Sequence, residues 1–164
     1  MTEPKPTIIV DIDGTIADCS ARLHFITQFK DDKEATFKAD WDAFYANMDK
    51  DDPIEITCAF VRALRSAGWG IILITGRSSL VRDQTIEWLE KNKIPWDLIL
   101  MRKHGDHTDD TEIKRAWLND MRTGRIILPK NVAVPTIALE DRSRVVKMWR
   151  EEELIALQCA EGDF

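Results

Sequence analysis

Cysteine is scarce and unpaired in this chain: Cys19, Cys58 and Cys159 lie far apart and form no Cys-x-x-Cys pair. That pattern excludes a disulfide-built miniature domain, a zinc ribbon and a dithiol redox site, and it points to reduced thiols in a cytoplasm. Long apolar runs are missing too. The run over 70–75 meets polar residues far short of the roughly 20 that cross a bilayer, and the first six residues hold no stretch of signal-peptide type. Neither secretion nor a membrane span is expected. No Gly/Ser linker, repeat or low-complexity tract divides the 164 residues, so the sequence reads as a single domain over 1–164. A positive field is also lacking. With 23 basic residues against 29 acidic ones, the formal charge of −6 argues against a protein whose main task is coating nucleic acid or an anionic membrane. The deficit is uneven, since residues 58–103 carry eight bases against four acids.

Short apolar runs rich in Ile, Leu and Val fall at 7–10, 71–74, 98–100, 136–139 and 155–157. Runs that are apolar on every face predict strands buried on both sides. Helical spacing appears at 54–67, 80–91, 110–121 and 142–152. Alternating strands and helices predict an α/β fold, a central parallel sheet with helices on both faces and ligands at the carboxyl ends of the strands. About 60 residues separate the first two strands, far more than one crossover needs. Two further helical patterns, at 21–29 and 39–48, predict a small helical cap inserted over about 19–52. The aromatic stripe Trp41, Phe44, Tyr45 with Met48 reads as the packed face of that cap, with a base-stacking platform as the sharper alternative. The acidic run 49–52 reads as a solvated hinge between cap and sheet, and His24 and His104 as surface or packing residues.

The strongest signal is Ile8-Ile9-Val10-Asp11-Ile12-Asp13-Gly14-Thr15, a buried strand that ends in two carboxylates, a glycine and a hydroxyl. Two carboxylates so placed repel each other and lose hydration unless a cation offsets them. This string resembles the first motif of the haloacid dehalogenase superfamily of phosphatases. Thr75-Gly76-Arg77 after an apolar strand resembles the second, Lys114 fits the third and Glu140-Asp141 the acidic fourth.

A closer resemblance runs from Ile8 to Phe164. Arg22, Thr75-Gly76-Arg77, Arg102-x-x-Gly105-Asp106-x-x-x-Asp110-x-x-x-Lys114, Glu140-Asp141-Arg142-x-x-Val145-Val146-x-Met148-Trp149-Arg150 and the ending Gly162-Asp163-Phe164 look like the 3′-phosphatase domain of bacteriophage polynucleotide kinase-phosphatase. No Gly-x-x-x-x-Gly-Lys-Ser/Thr loop is present, so a separate kinase domain is not expected in this chain. Two departures, His107-Thr108 in place of a basic residue and a longer insertion between the first two motifs, lie where substrate rather than chemistry is read.

The resemblance implies a Rossmann-like fold and a Mg²⁺-dependent phosphomonoesterase that removes 3′-phosphates from polynucleotide ends. Asp11 would attack phosphorus to form an aspartyl-phosphate. Asp13 would serve as acid and base, its proton held near neutral pH by the repulsion of Asp11 and Asp141. Thr75 and Lys114 would complete the catalytic set. Asp11, the Asp13 carbonyl and Asp141 would hold Mg²⁺, with Glu140 further out. Arg22, Gly76, Arg77 and Asp110 would meet the substrate or the cap, with Asp110 either paired to Lys114 along one helix face or capping that helix. The expected location is cytoplasmic, in the host for a phage protein. A nucleoside monophosphate phosphatase is the nearest alternative. A non-catalytic phospho-acceptor of receiver type, or a module that only recognises ends, is the alternative from another class.

Overall fold

The computed structural model describes residues 4–27 and 38–162. Five parallel strands form one sheet in the order β5-β4-β1-β6-β7, with β1 at Thr7–Val10, β4 at Gly70–Ser78, β5 at Leu98–Arg102, β6 at Ile137–Arg142 and β7 at Ile155–Gly162. The β1 sequence Thr-Ile-Ile-Val is β-branched throughout and wholly buried, as the central strand of a sheet covered on both faces requires. Successive side chains go to opposite faces. Ile8 and Val10 pack with Ile71 and Leu73 beneath α2 (Glu55–Ser66) and α3 (Arg82–Lys91). Ile9 packs with Ile72 and Ile74 beneath α4 (Asp110–Arg122) and α5 (Ser143–Glu151).

Register decides what shares an edge. Val10 lies opposite Leu73 of β4 and Leu139 of β6, so one more residue along the chain brings Asp11 level with Ile74 and Glu140. The motifs at the ends of three neighbouring strands therefore meet at the carboxyl edge of the sheet. Two of these strands run past their expected ends: β4 continues through Thr75, Gly76 and Arg77, and β6 through Glu140 and Asp141. Both become irregular there, at Thr75/Ser78 and at Glu140/Arg142. Such bulges re-aim side chains at the end of a ladder.

Between β1 and β4, the chain forms a two-stranded ribbon from β2 (Ala17–Asp18) and β3 (Asp52–Pro53), which the sequence did not announce. The stretch between them differs from expectation. In place of a helix over 21–29 there is a short 3-10 turn at Ser20–Phe25, and residues 28 and 29 lie outside the described residues. The helix expected over 39–48 is reduced to α1 (Trp41–Ala46), capped by the Asp40 carboxylate on the Ala43 N–H and followed by a 3-10 turn at Met48–Lys50. A helix of six residues has no stability of its own and depends on what it packs against. No helix among the described residues is long and apolar enough to cross a membrane, and the three cysteines are free thiols.

Trp149 is fully buried in the α4/α5 layer, and its indole N–H finds no hydrogen-bond partner among the described residues. Trp149→Ala is expected to cost about 3–5 kcal/mol in urea unfolding. Trp149→Phe is expected to cost clearly less, because it removes the unpartnered donor along with the volume. Equal losses for the two variants would contradict this account.

Candidate active site

Asp11, Glu140 and Asp141 are all buried at the carboxyl edge of the sheet, and one carboxylate oxygen from each lies within 4.8 Å of the others. A single ammonium reaches into this group. Lys114, one turn into α4 and 1% exposed, donates to Asp11 at 2.8 Å and Glu140 at 2.9 Å, and pairs with Asp110 at 3.2 Å. Burial lowers the proton affinity of a lysine, but Asp11, Glu140 and Asp110 more than reverse that and keep Lys114 charged. Lys114, with Arg142 acting from further off, does not balance this many carboxylates. Burial and the Glu140 charge push the Asp11 carboxyl up to about 8 in spite of Lys114. Burial and Asp11 push Asp141 up to about 6. An oxygen-only set with unmet negative charge is what a hard divalent cation takes. Glu140 has less to offer such an ion, since Oε2 accepts from Lys114 and Oε1 accepts from the Arg142 N–H at 3.3 Å.

Asp141 is held in a slot. Its Oδ1 accepts from the Thr15 hydroxyl at 3.2 Å. A Cβ on Gly14 would stand 2.3 Å from Asp141 Oδ2, and one on Gly162 only 2.1 Å from the same atom. Gly14 also turns the chain at φ +82, so the Asp-Gly-Thr glycine is required twice over. Gly162 reaches the site because β7 gains residues at its irregularity with β6.

Asp13 sits in a second network that differs from expectation. Its carboxylate accepts from both Arg22 and Arg77, the latter at 2.6 Å through Nη2. The same two guanidiniums reach Asp51, Arg22 through Nε at 2.8 Å and Nη2 at 2.6 Å and Arg77 at 3.4 Å. Burial pushes the Asp13 carboxyl up, yet Arg77 and Arg22 outweigh it and hold it well below the usual carboxylate range. The expectation of a proton kept on Asp13 by Asp11 and Asp141 is corrected accordingly: two guanidiniums lie closer than the repelling carboxylates. Arg22 and Arg77, expected at the substrate or the cap, are 2% and 0% exposed and meet carboxylates, Asp51 of the expected cap region among them. Asp51, expected in a solvated hinge, is a buried charge whose backbone oxygen also accepts from the Trp88 indole at 2.8 Å.

A cavity of about 530 Å³ opens over Asp11, Asp13 and Thr75. Thr75 is buried and its hydroxyl accepts from the Arg77 N–H at 3.2 Å. Asp110 pairs with Lys114, Arg102 and Arg142, so it orders cations, while Asp109 is the residue that caps α4. A Cβ on Gly76 would meet Asp110 Oδ1 at 2.8 Å, and the Gly76 carbonyl accepts from Arg102 and from the Tyr45 hydroxyl. The aromatic stripe divides. Phe44 and Met48 are buried, Phe44 with the Arg22 guanidinium 4.0 Å over its ring, whereas Trp41 and Tyr45 line the cavity. His24 is exposed, and His104 stands on the cavity rim. Asp163 and Phe164 lie outside the described residues.

A family model described as the polynucleotide kinase PNKP phosphatase domain matches residues 35–164. A chain of the Pnkp1/Rnl/Hen1 RNA repair complex is 26% identical, with a TM-score of 0.71, over all of this chain and 46% of that one. A second structure of the Pnkp1/Rnl/Hen1 complex gives 28% identity, a TM-score of 0.73 and coverage of 100% and 48%. This chain thus spans about half the length of those chains. The class C acid phosphatase from Bacillus anthracis shares the fold, at 19% identity, a TM-score of 0.62 and coverage of 98% and 69%.

Two outcomes follow from the carboxylate geometry. In the unfolded chain, Asp11 and Asp141 return to about 3.8, so between that value and 8 the metal-free folded protein holds more protons than the unfolded one. Their contribution to stability is complete at low pH and is lost as the pH rises through about 6 and then about 8. Melting temperatures in EDTA should fall from pH 5.5 to 8.5, and saturating Mg²⁺ should flatten that slope. Gly162→Ala, by displacing the Asp141 carboxylate, should weaken Mg²⁺ binding measured by calorimetry about 10- to 100-fold.

Proposed function

From its place in the polynucleotide kinase PNKP phosphatase domain family, to which the chain belongs, we propose that it is a divalent-metal-dependent phosphomonoesterase acting on 3′-phosphate ends of nucleic acid. The observation that carries the reading is the Asp11 carboxyl, which lines a cavity and is held by a buried lysine among further acids. Mg²⁺ held by Asp11, Asp141 and the Asp13 carbonyl would supply the positive charge that lets a carboxylate and a phosphate approach each other.

Each side chain then has a task. An Asp11 oxygen forms a bond to phosphorus as the ester bond to the leaving alcohol breaks, giving an aspartyl-phosphate. Lys114 holds Asp11 in line and faces the phosphoryl oxygens as a compact charge. The Thr75 hydroxyl, buried beside the cavity, donates to the phosphate. Asp13 is the carboxylate that exchanges protons with the leaving alcohol and the hydrolytic water, but while Arg22 and Arg77 hold it ionised it is a weak base and carries no proton. To protonate the leaving alcohol, it must first leave the two guanidiniums and take up a proton from solvent, which the hydrolytic water then replaces. The stretch over 19–52 acts as a cap, tied to the sheet through Arg22 and Asp51. The arrangement also accounts for a short footprint: the cavity is of a size that holds one small ligand, in the range of roughly 300–1,000 Å³, and the chain as a whole is acidic.

A nucleoside monophosphate would fit the same volume, so the test compares ends with mononucleotides. Phosphate release from a 3′-phosphorylated oligonucleotide should exceed that from 3′- and 5′-mononucleotides at equal concentration. Asp11→Asn should lower it by about 10³-fold or more without changing the melting curve's cooperativity, and EDTA should abolish it. Mononucleotides turned over as well as ends would sink the polynucleotide reading. Retained activity in Asp11→Asn would sink the mechanism.

A further inference from the structure

The cavity has two unlike walls. One is aromatic and belongs to α1: Trp41 and Tyr45 lie one helical turn apart, 6.0 Å between ring centroids and inclined by 30°. The other is basic, formed by the loop after β5 and the first turn of α5, where Lys103 and Arg144 stand on the rim. Packing accounts for Phe44, which is 2% exposed, but not for Trp41, which is 46% exposed at the cavity mouth. The indole meets Phe44 edge-on at 81° and Tyr45 at a tilt, and neither contact is a parallel stack that would cover a whole indole face. Tyr45 is pinned by its hydroxyl on the Gly76 carbonyl at 2.9 Å, which fixes the wall against the strand that carries Thr75. Lys103 has no ion pair among the described residues, and Arg144 holds only the half-exposed Asp109 at 2.9 Å, a partner it can exchange at little cost. Asp42 and Asp106 also line the cavity, and the Asp106 carboxylate is engaged by the Thr108 N–H.

We propose that Trp41, backed by Tyr45, is a stacking platform for the base of the nucleotide that bears the 3′-phosphate, with Lys103 and Arg144 receiving the phosphodiester on the 5′ side of that nucleotide. This rests on the substrate reading above and makes it specific: the end is recognised through one unpaired base, whatever its identity, because every base offers a π face. Aromatic and cationic side chains lining one single-ligand volume match a nucleotide, which has a flat apolar part and an anionic part. A sugar phosphate, whose puckered ring offers only a smaller C–H face, matches less well. A rigid indole gives this contact area with few rotors to freeze.

The test uses a 3′-phosphorylated oligonucleotide, the same oligonucleotide with an abasic 3′-phosphate end, and β-glycerophosphate as a base-free reference. For the unaltered protein, removing the terminal base should lower kcat/KM about 10- to 100-fold. Trp41→Ala should lower the ratio of kcat/KM on the base-bearing end to that on β-glycerophosphate by a similar factor, with Trp41→Phe recovering most of it. On the abasic end, that ratio should be the same with and without Trp41. Equal turnover of base-bearing and abasic ends by the unaltered protein, a comparison that depends on no variant's folding, overturns the platform and leaves the substrate reading intact. Hydrolysis of β-glycerophosphate with no turnover of the base-bearing end overturns the substrate reading, and the platform with it.

Discussion

Several carboxylates share one ammonium at the edge of this sheet, and most of the remaining arrangement answers to that imbalance. Asp11, Asp110 and Glu140 each reach Lys114, and Asp141 is wedged beside them, accepting from the Thr15 hydroxyl. Buried charges of one sign are tolerated only where something offsets them. Here the fold supplies part of the offset, and burial together with mutual repulsion raises the proton affinity of two of the acids. The neighbouring network is the opposite case, with two guanidiniums and two carboxylates closing on one another. An under-compensated cluster and a satisfied one thus lie side by side at the same edge.

Much of this was legible in the amino-acid order because parallel strands make sequence position and spatial position nearly the same thing at their carboxyl ends. Val10, Leu73 and Leu139 are in register, so motifs found one or two residues beyond them had to meet. Helix positions followed from periodicity for the same reason, since α2, α4 and α5 each bury a repeating apolar stripe. Lys114 was readable only through the motif resemblance, whereas its pairing with Asp110 followed from their four-residue spacing on one helix face.

What escaped the sequence was whatever depends on partners from distant parts of the chain. Asp51 stands between Asp49 and Asp52 with nothing to set it apart; only the need of Arg22 and Arg77 for a second counter-charge would have singled it out. Gly162 stood out only as part of a matching ending; that the extra residues of β7 bring it against Asp141 could not be read from the sequence. The short elements between residues 18 and 52 were overestimated because their apolar spacing reports contacts to the sheet and to Arg22 rather than long helices. The direction of the Asp13 proton affinity was misjudged because neither arginine could be placed next to it from spacing alone.

The shared ownership of Asp13 and Asp51 by Arg22 and Arg77 bears on modularity. Arg22 and Asp51 come from the stretch between the two ribbon strands, Arg77 from the sheet and Asp13 from the loop that starts the site. Neither half is electrically complete alone. Recombining this sheet with a foreign insert, in a laboratory chimera or over evolutionary time, would strand a guanidinium or a carboxylate unless the newcomer carried both an arginine and an acid at these places. The loops of the site are thus electrostatically a linked pair.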